Sequence, residues 1–69
     1  MNKIQKQIDE FNQSKLPVEI VYRDFGQKTL VENGIIKDCF RKGEEELILL
    51  ETGLAIKIES IISIKKKGS

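Results

Sequence analysis

Residues 54–64 read LAIKIESIISI, and the phase of their apolar positions constrains the fold more than any other feature of the chain. Leu54, Ile56 and Ile58 alternate with Ala55, Lys57 and Glu59, the two-residue period of a strand with one buried face. The alternation then slips. Ser60 stands where the next apolar residue is due, and Ile61 and Ile62 are adjacent. A single strand accommodates this with a bulge, or by exposing Ile61 and forgoing roughly 1.5–3 kcal/mol of burial. Two strands hinged at Glu59–Ile61 account for it better. In small five-stranded barrels the last two strands are joined by one helical turn, which changes the parity that points inward. On this reading Leu54, Ile56 and Ile58 face inward, Ile61 plugs the barrel end within the turn, and Ile62 and Ile64 resume the inward set.

The preceding chain divides into one helix and several strands. In NKIQKQIDEFNQS, Ile4, Ile8 and Phe11 are spaced by four and three, which places them on one helical face. Asn2 is a suitable N-cap, and Pro17 ends the unit by biasing Leu16 towards extended backbone. VEIVYR sets Val18, Ile20 and Tyr22 against Glu19, Val21 and Arg23. DFGQ follows as a turn, with Gly26 free to take a positive φ. In the extended stretch KTLVENGIIKDCF, Asn33-Gly34 reads either as a hairpin turn or as a bend in one long strand. The bend is favoured, because splitting there leaves two very short strands and a small barrel needs one bent strand to serve both sheets. After the RKGEE turn, ELILLE carries apolar residues on both faces, as a central or helix-covered strand does. Thr52-Gly53 turns the chain into the stretch with the slip, and the tail KKKGS is too short and polar to order itself. The expectation is a mainly β chain: a single domain over 1–69, with an N-terminal α-helix over 1–15 and a five-stranded, strongly bent antiparallel barrel over 17–67.

Composition narrows the class. The chain has 69 residues, and a domain of this size buries only about 60% of the surface its unfolded chain exposes. One cysteine and no histidine leave oligomerisation as the remaining way to brace a thin core. Twelve basic against eleven acidic residues give a formal charge of +1, which is not that of a chain dominated by nucleic-acid backbone binding. No apolar run approaches the roughly 18 residues of a membrane span. The N-terminus lacks the apolar block of a secretory signal. A cytoplasmic setting is expected, in keeping with one free thiol.

The order of elements resembles the Sm-like barrel, including the Hfq-type RNA chaperones. The resemblance is carried by a helix before VEIVYRDFGQ, a bent strand with a glycine in ENGIIKDCF, then ELILLETG and LAIKIESIISI. The chain is also similar to the YolD-like group of small Gram-positive proteins, with its strand ending in a tyrosine, glycine turn and closing Ile-x-x-Ile. The resemblance spans roughly residues 3–65 and implies an SH3-like barrel and a ring in which the fourth strand of one subunit pairs with the fifth of the next. It departs at two places. Where Hfq-type proteins carry a Lys-His pair that contacts RNA, Ile58 and Glu59 stand here. Where Sm proteins carry an Asp and an Asn that help hold a base, this chain has Phe40, Arg41, Lys42 and Gly43.

Catalytic chemistry is not expected, and no cofactor or metal is implied. No imidazole titrates near neutrality, and Cys39 lacks a base and adjoins Asp38, which raises a thiol pKa. Glu44, Glu45 and Glu46 read as a solvated turn, since three successive carboxylates splay apart. Candidate nucleic-acid contacts are Arg41, Lys42, Lys65, Lys66 and Lys67, which would meet phosphates without reading sequence. Terminal-strand lysines also serve solubility and edge protection. Tyr22 and Phe25 offer either a stacking surface or, for Tyr22, core packing. Two functions follow. One is an RNA or single-stranded nucleic-acid binding module acting as a homo-oligomer. The other is a protein-interaction module or small regulator that docks on a larger complex.

Overall fold

The computed structural model describes residues 3–68. The expected N-cap Asn2 and the final Ser69 lie outside the described residues. Helix α1 spans Lys3–Ser14 and places Ile4, Ile8 and Phe11 against the core, with Ile8 fully buried. It ends at Lys15, whose φ of 58° is left-handed and whose N–H donates to the Phe11 carbonyl at 2.9 Å. The Lys15 side chain reaches on to β3, where Nζ donates to the carbonyls of Ile36 at 3.1 Å and Lys37 at 2.8 Å.

Six strands follow: β1 Val18–Arg23, β2 Thr29–Gly34, β3 Ile36–Lys42, β4 Glu45–Leu50, β5 Ala55–Lys57 and β6 Ile61–Lys66. They form two three-stranded antiparallel sheets, ordered β2-β1-β6 and β3-β4-β5. The chain passes from one sheet to the other twice. It crosses at Ile35, between β2 and β3, and again at a 3₁₀ turn, Ile58–Ser60, between β5 and β6. β2 and β3 are successive arms of one bent stretch, as the Asn33-Gly34 signal suggests, but the bend falls one residue later. Gly34 itself still pairs with Val18. A Cβ on it would lie an ordinary 3.6 Å from Leu50 Cδ1, so crowding does not require the glycine. No ladder joins β5 to β6 among the described residues, and the strand pairing leaves a seam there in place of the expected closure.

The core consists of Ile8, Val18, Ile20, Ile36, Ile48, Leu50, Ile56, Ile61 and Ile64. At the last strand one reading from sequence holds and one is corrected. The phase slip is a 3₁₀ turn between two strands, held where Ser60 Oγ donates to the Lys57 carbonyl at 2.8 Å and Ile61 N–H donates to Ile58. The inward residues after it, however, are Ile61 and Ile64, and Ile62 is 48% exposed. Tyr22 pairs with Ile61 and Val21 with Ser63, so Ile62 is the extra residue of a bulge that turns it outward. The other correction concerns the β1–β2 turn. Its positive φ belongs to Gln27, at 64°, and not to Gly26. Asp24 accepts from Gln27 N–H at 3.0 Å and donates its own N–H to Lys28 at 3.1 Å, the pattern of a three-residue loop ending in a left-handed bulge position.

At the end of β6, Lys67 N–H donates to the Pro17 carbonyl at 3.0 Å. The strands therefore begin and end at one corner.

Candidate functional site

The five basic candidates do not form one patch. Lys65 and Lys66 pair with Glu19 and Val18 at the start of β1, and Lys67 follows beside Pro17. Arg41 and Lys42 lie at the tip of the β3–β4 hairpin, with Lys42 about 20 Å of strand beyond the bend. Glutamates neutralise part of each group. Arg41 Nη2 lies 2.9 Å from Glu46 Oε1, and Lys65 Nζ lies 3.5 Å from Glu19 Oε1. Glu45 takes Lys57 Nζ at 3.2 Å, so the acidic run serves local ion pairs. These pairs are exposed, each worth about 0–1 kcal/mol. A cation already paired with a carboxylate offers less net attraction to a phosphate.

A broad, open concavity lies elsewhere, along the seam. An open cleft of about 750 Å³ runs between the end of β1, the turn after it, β5, the 3₁₀ turn and the start of β6. The seam itself makes the cleft, since β5 and β6 are edge strands of different sheets held apart by Ile58–Ser60. Its apolar walls include Tyr22, Phe25, Leu47 and Ile62. Tyr22 is half-buried and packs against the core, whereas Phe25 is 96% exposed at the tip of its turn. Phe25 is not bare, because Lys57 Nζ sits 5.2 Å from its ring centroid. An exposed cation–π contact of this kind is worth about 0.5–1 kcal/mol. Lys57 thus bridges Phe25 to Glu45. The charged walls are balanced, with Arg23 and Lys57 against Asp24 and Glu59.

Phe25 is legible in the sequence as a stacking residue, but Lys57 as its neighbour is not. The available signal was parity: Lys57 is an outward position of LAIKIE, and an aromatic ring in a hairpin turn has no interior to enter. Cys39 is half-buried against the core, and burial, followed by Asp9 and Asp38, pushes its thiol pKa up. That shift keeps it protonated and poorly nucleophilic near neutrality. Among the described residues, no three metal-ligating side chains converge. No described helix is long and apolar enough to cross a membrane.

Compared with models of protein families, with curated proteins and with solved structures, the chain gives no significant match.

Proposed function

We propose that the chain is a small non-catalytic binding module of the Sm-like, SH3-like barrel type, working in the cytoplasm, and that its seam cleft takes an extended segment of a partner protein. The element order, the bent β2–β3 stretch and the 3₁₀ turn between β5 and β6 support the barrel reading. The make-up of the cleft carries the choice of partner. Its walls are apolar and aromatic and its charges cancel, which suits an extended peptide held through its apolar side chains. Phosphate contacts would want an excess of positive charge, which the cleft lacks.

The second reading, RNA or single-stranded nucleic acid, is favoured by Phe25 alone. Its ring is open to a stacking base, with a lysine nitrogen beside it. In that case Arg41, Lys42, Lys65, Lys66 and Lys67 would add phosphate contacts. The two readings separate in one experiment. A displayed library of random peptides and a set of RNA and single-stranded DNA oligonucleotides are tested on the wild type and Phe25→Ala across a salt series. We expect apolar peptides to bind and to lose at least about tenfold with Phe25→Ala, as an exposed aromatic anchor does. Salt-dependent oligonucleotide binding that Phe25→Ala abolishes, with no peptide selected, would overturn the protein reading.

A further inference from the structure

The two sheets leave four strand edges, on β2, β3, β5 and β6, and three of them are bulged or very short, which discourages further pairing. β3 has a bulge at Lys37, with the Ile36 and Lys37 carbonyls already occupied by Lys15, and exposed Asp38, Arg41 and Lys42. β5 is only three residues long. β6 is bulged at Ile62 and ends in lysines. β2 is different. It is six residues long, pairs with β1 without a register shift, and holds no lysine, arginine or proline; its one charge is Glu32, opposite Ile20 on the inner face. Leu30 and Val31 on it are 37% and 56% exposed.

The β1–β2 turn shows which backbone groups β2 leaves open. Asp24 N–H donates to the Lys28 carbonyl, which makes that pair a hydrogen-bonded one. Hydrogen-bonded and non-hydrogen-bonded pairs alternate along an antiparallel ladder. Tyr22–Leu30, Ile20–Glu32 and Val18–Gly34 are therefore the bonded pairs of the register, and Thr29, Val31 and Asn33 direct their N–H and C=O groups away from β1.

We propose that this edge pairs with β2 of a second copy of the chain, antiparallel, about a two-fold axis at Val31. Val31 then exchanges both backbone bonds with Val31 of the second copy, and Thr29 and Asn33 exchange theirs with Asn33 and Thr29. All three outward-facing residues are satisfied at once. Glu32 decides the register. Shifted by two residues in one direction, Glu32 opposes Glu32 of the second copy, a like-charge pair that destabilises a sheet. Shifted the other way, Asn33 opposes Gln27, whose left-handed φ cannot continue a strand. Centred on Val31, Glu32 opposes Leu30, and no charge meets its like. The result is one continuous sheet, β6-β1-β2 followed by the same strands in reverse. Val21 lies opposite Val31 on its outer face, with the outward Ile62 beyond, so the strip Ile62–Val21–Val31 runs on into its copy. The cleft approaches β2 only at the β1–β2 turn, where Gln27 lines it; Thr29, Val31 and Asn33 are not among its lining residues.

Proline is the discriminating probe, because the Val31 N–H is not used by β1. Val31→Pro removes a donor at the open edge and leaves the β1–β2 ladder intact. By light scattering over a concentration series, the wild type is expected at twice its 7.9 kDa mass and Val31→Pro at 7.9 kDa, with the same circular dichroism. A second measurement does not depend on that variant folding. In a Cys39→Ser background, Val31→Cys is expected to form an interchain disulfide under mild oxidation, since Cα atoms of a hydrogen-bonded pair lie about 5.5 Å apart, within disulfide range. Val21→Cys is expected not to, lying about 14 Å from its counterpart across three strand spacings. A wild type that is monomeric at every concentration overturns the proposal. So does a Val31→Pro that keeps the wild-type mass, or a Val21→Cys that cross-links as fast as Val31→Cys. An assembly larger than two that Val31→Pro leaves intact assigns association to β5 and β6 instead. Phe25→Ala is expected to leave the mass unchanged, which keeps this test separate from that of the cleft.

Discussion

Lys15 Nζ donates to the Lys37 carbonyl at 2.8 Å, fastening the end of α1 to the bulge at the start of β3. The same nitrogen also reaches the Ile36 carbonyl and Asn12 Oδ1. A charged donor shared among three oxygens holds the helix where its buried Ile8 closes the core. Replacing Lys15 with Ala is expected to cost about 1–2 kcal/mol, the lower part of the range for charged hydrogen bonds because the site is partly exposed. Denaturant titration measures the loss. Hydrogen exchange checks its location: amides of α1 are expected to exchange faster, with β1 and β4 little changed.

Two adjacent isoleucines are expected to respond differently to truncation. Ile61 is 8% exposed and part of the core, so Ile61→Ala should cost about 2–5 kcal/mol. Ile62 is 48% exposed at its bulge, and Ile62→Ala should cost under about 1 kcal/mol. Thermal melts of the two variants measure the difference. Equal losses would mean that Ile62 is not turned outward.

Gln27 is a non-glycine residue in the left-handed region, where Cβ costs roughly 1–2 kcal/mol. Part of that is returned as unfolded-state entropy when glycine replaces it, so Gln27→Gly is expected to stabilise by about 0.5–1 kcal/mol. Gly34→Ala is expected to be neutral or to stabilise by a similar amount, because Gly34 lacks a left-handed φ and its Cβ would have ordinary room. Gly53→Ala should destabilise by about 1 kcal/mol, since φ there is +97°. Differential scanning calorimetry on the three variants tests the set.

Cys39 links stability to alkaline pH. Burial raises its folded-state pKa above the ordinary value of 9.0, so the folded state resists deprotonation. The unfolded chain releases the proton first. This contribution is therefore complete below pH 9 and is lost as pH rises through the folded-state value. Cys39→Ala should flatten the fall in stability above pH 9. Alkylation by iodoacetamide should reach half its limiting rate at a higher pH in the native protein than in denaturant.

Strands with one buried face were legible because their pattern is written in their own residues. VEIVYR is β1 as read, and the slip in LAIKIESIISI does mark a turn between strands. The direction of Ile62 was not legible, because a bulge is set by register against β1 and not by the bulged strand alone. The same holds for Lys15. Its carbonyl partners on β3 lie more than twenty residues away, and nothing in KLP announces a left-handed lysine. Gly26 drew attention in the turn because glycine best tolerates positive φ, yet the loop geometry assigns that conformation to the next position. For the cleft, the sequence held the parts, Tyr22, Phe25 and Lys57, but only the seam between two sheets brings them to one place.

The bond between Lys67 N–H and the Pro17 carbonyl also bears on how the molecule can be tethered. It sets the exit of the last strand at the Val18 end of β1, while the cleft opens at the Tyr22 end, about one strand length away. A cargo, surface anchor or second domain attached after Lys67 would leave from the corner remote from Phe25. An attachment there leaves the exposed Phe25 end of β1 facing solution.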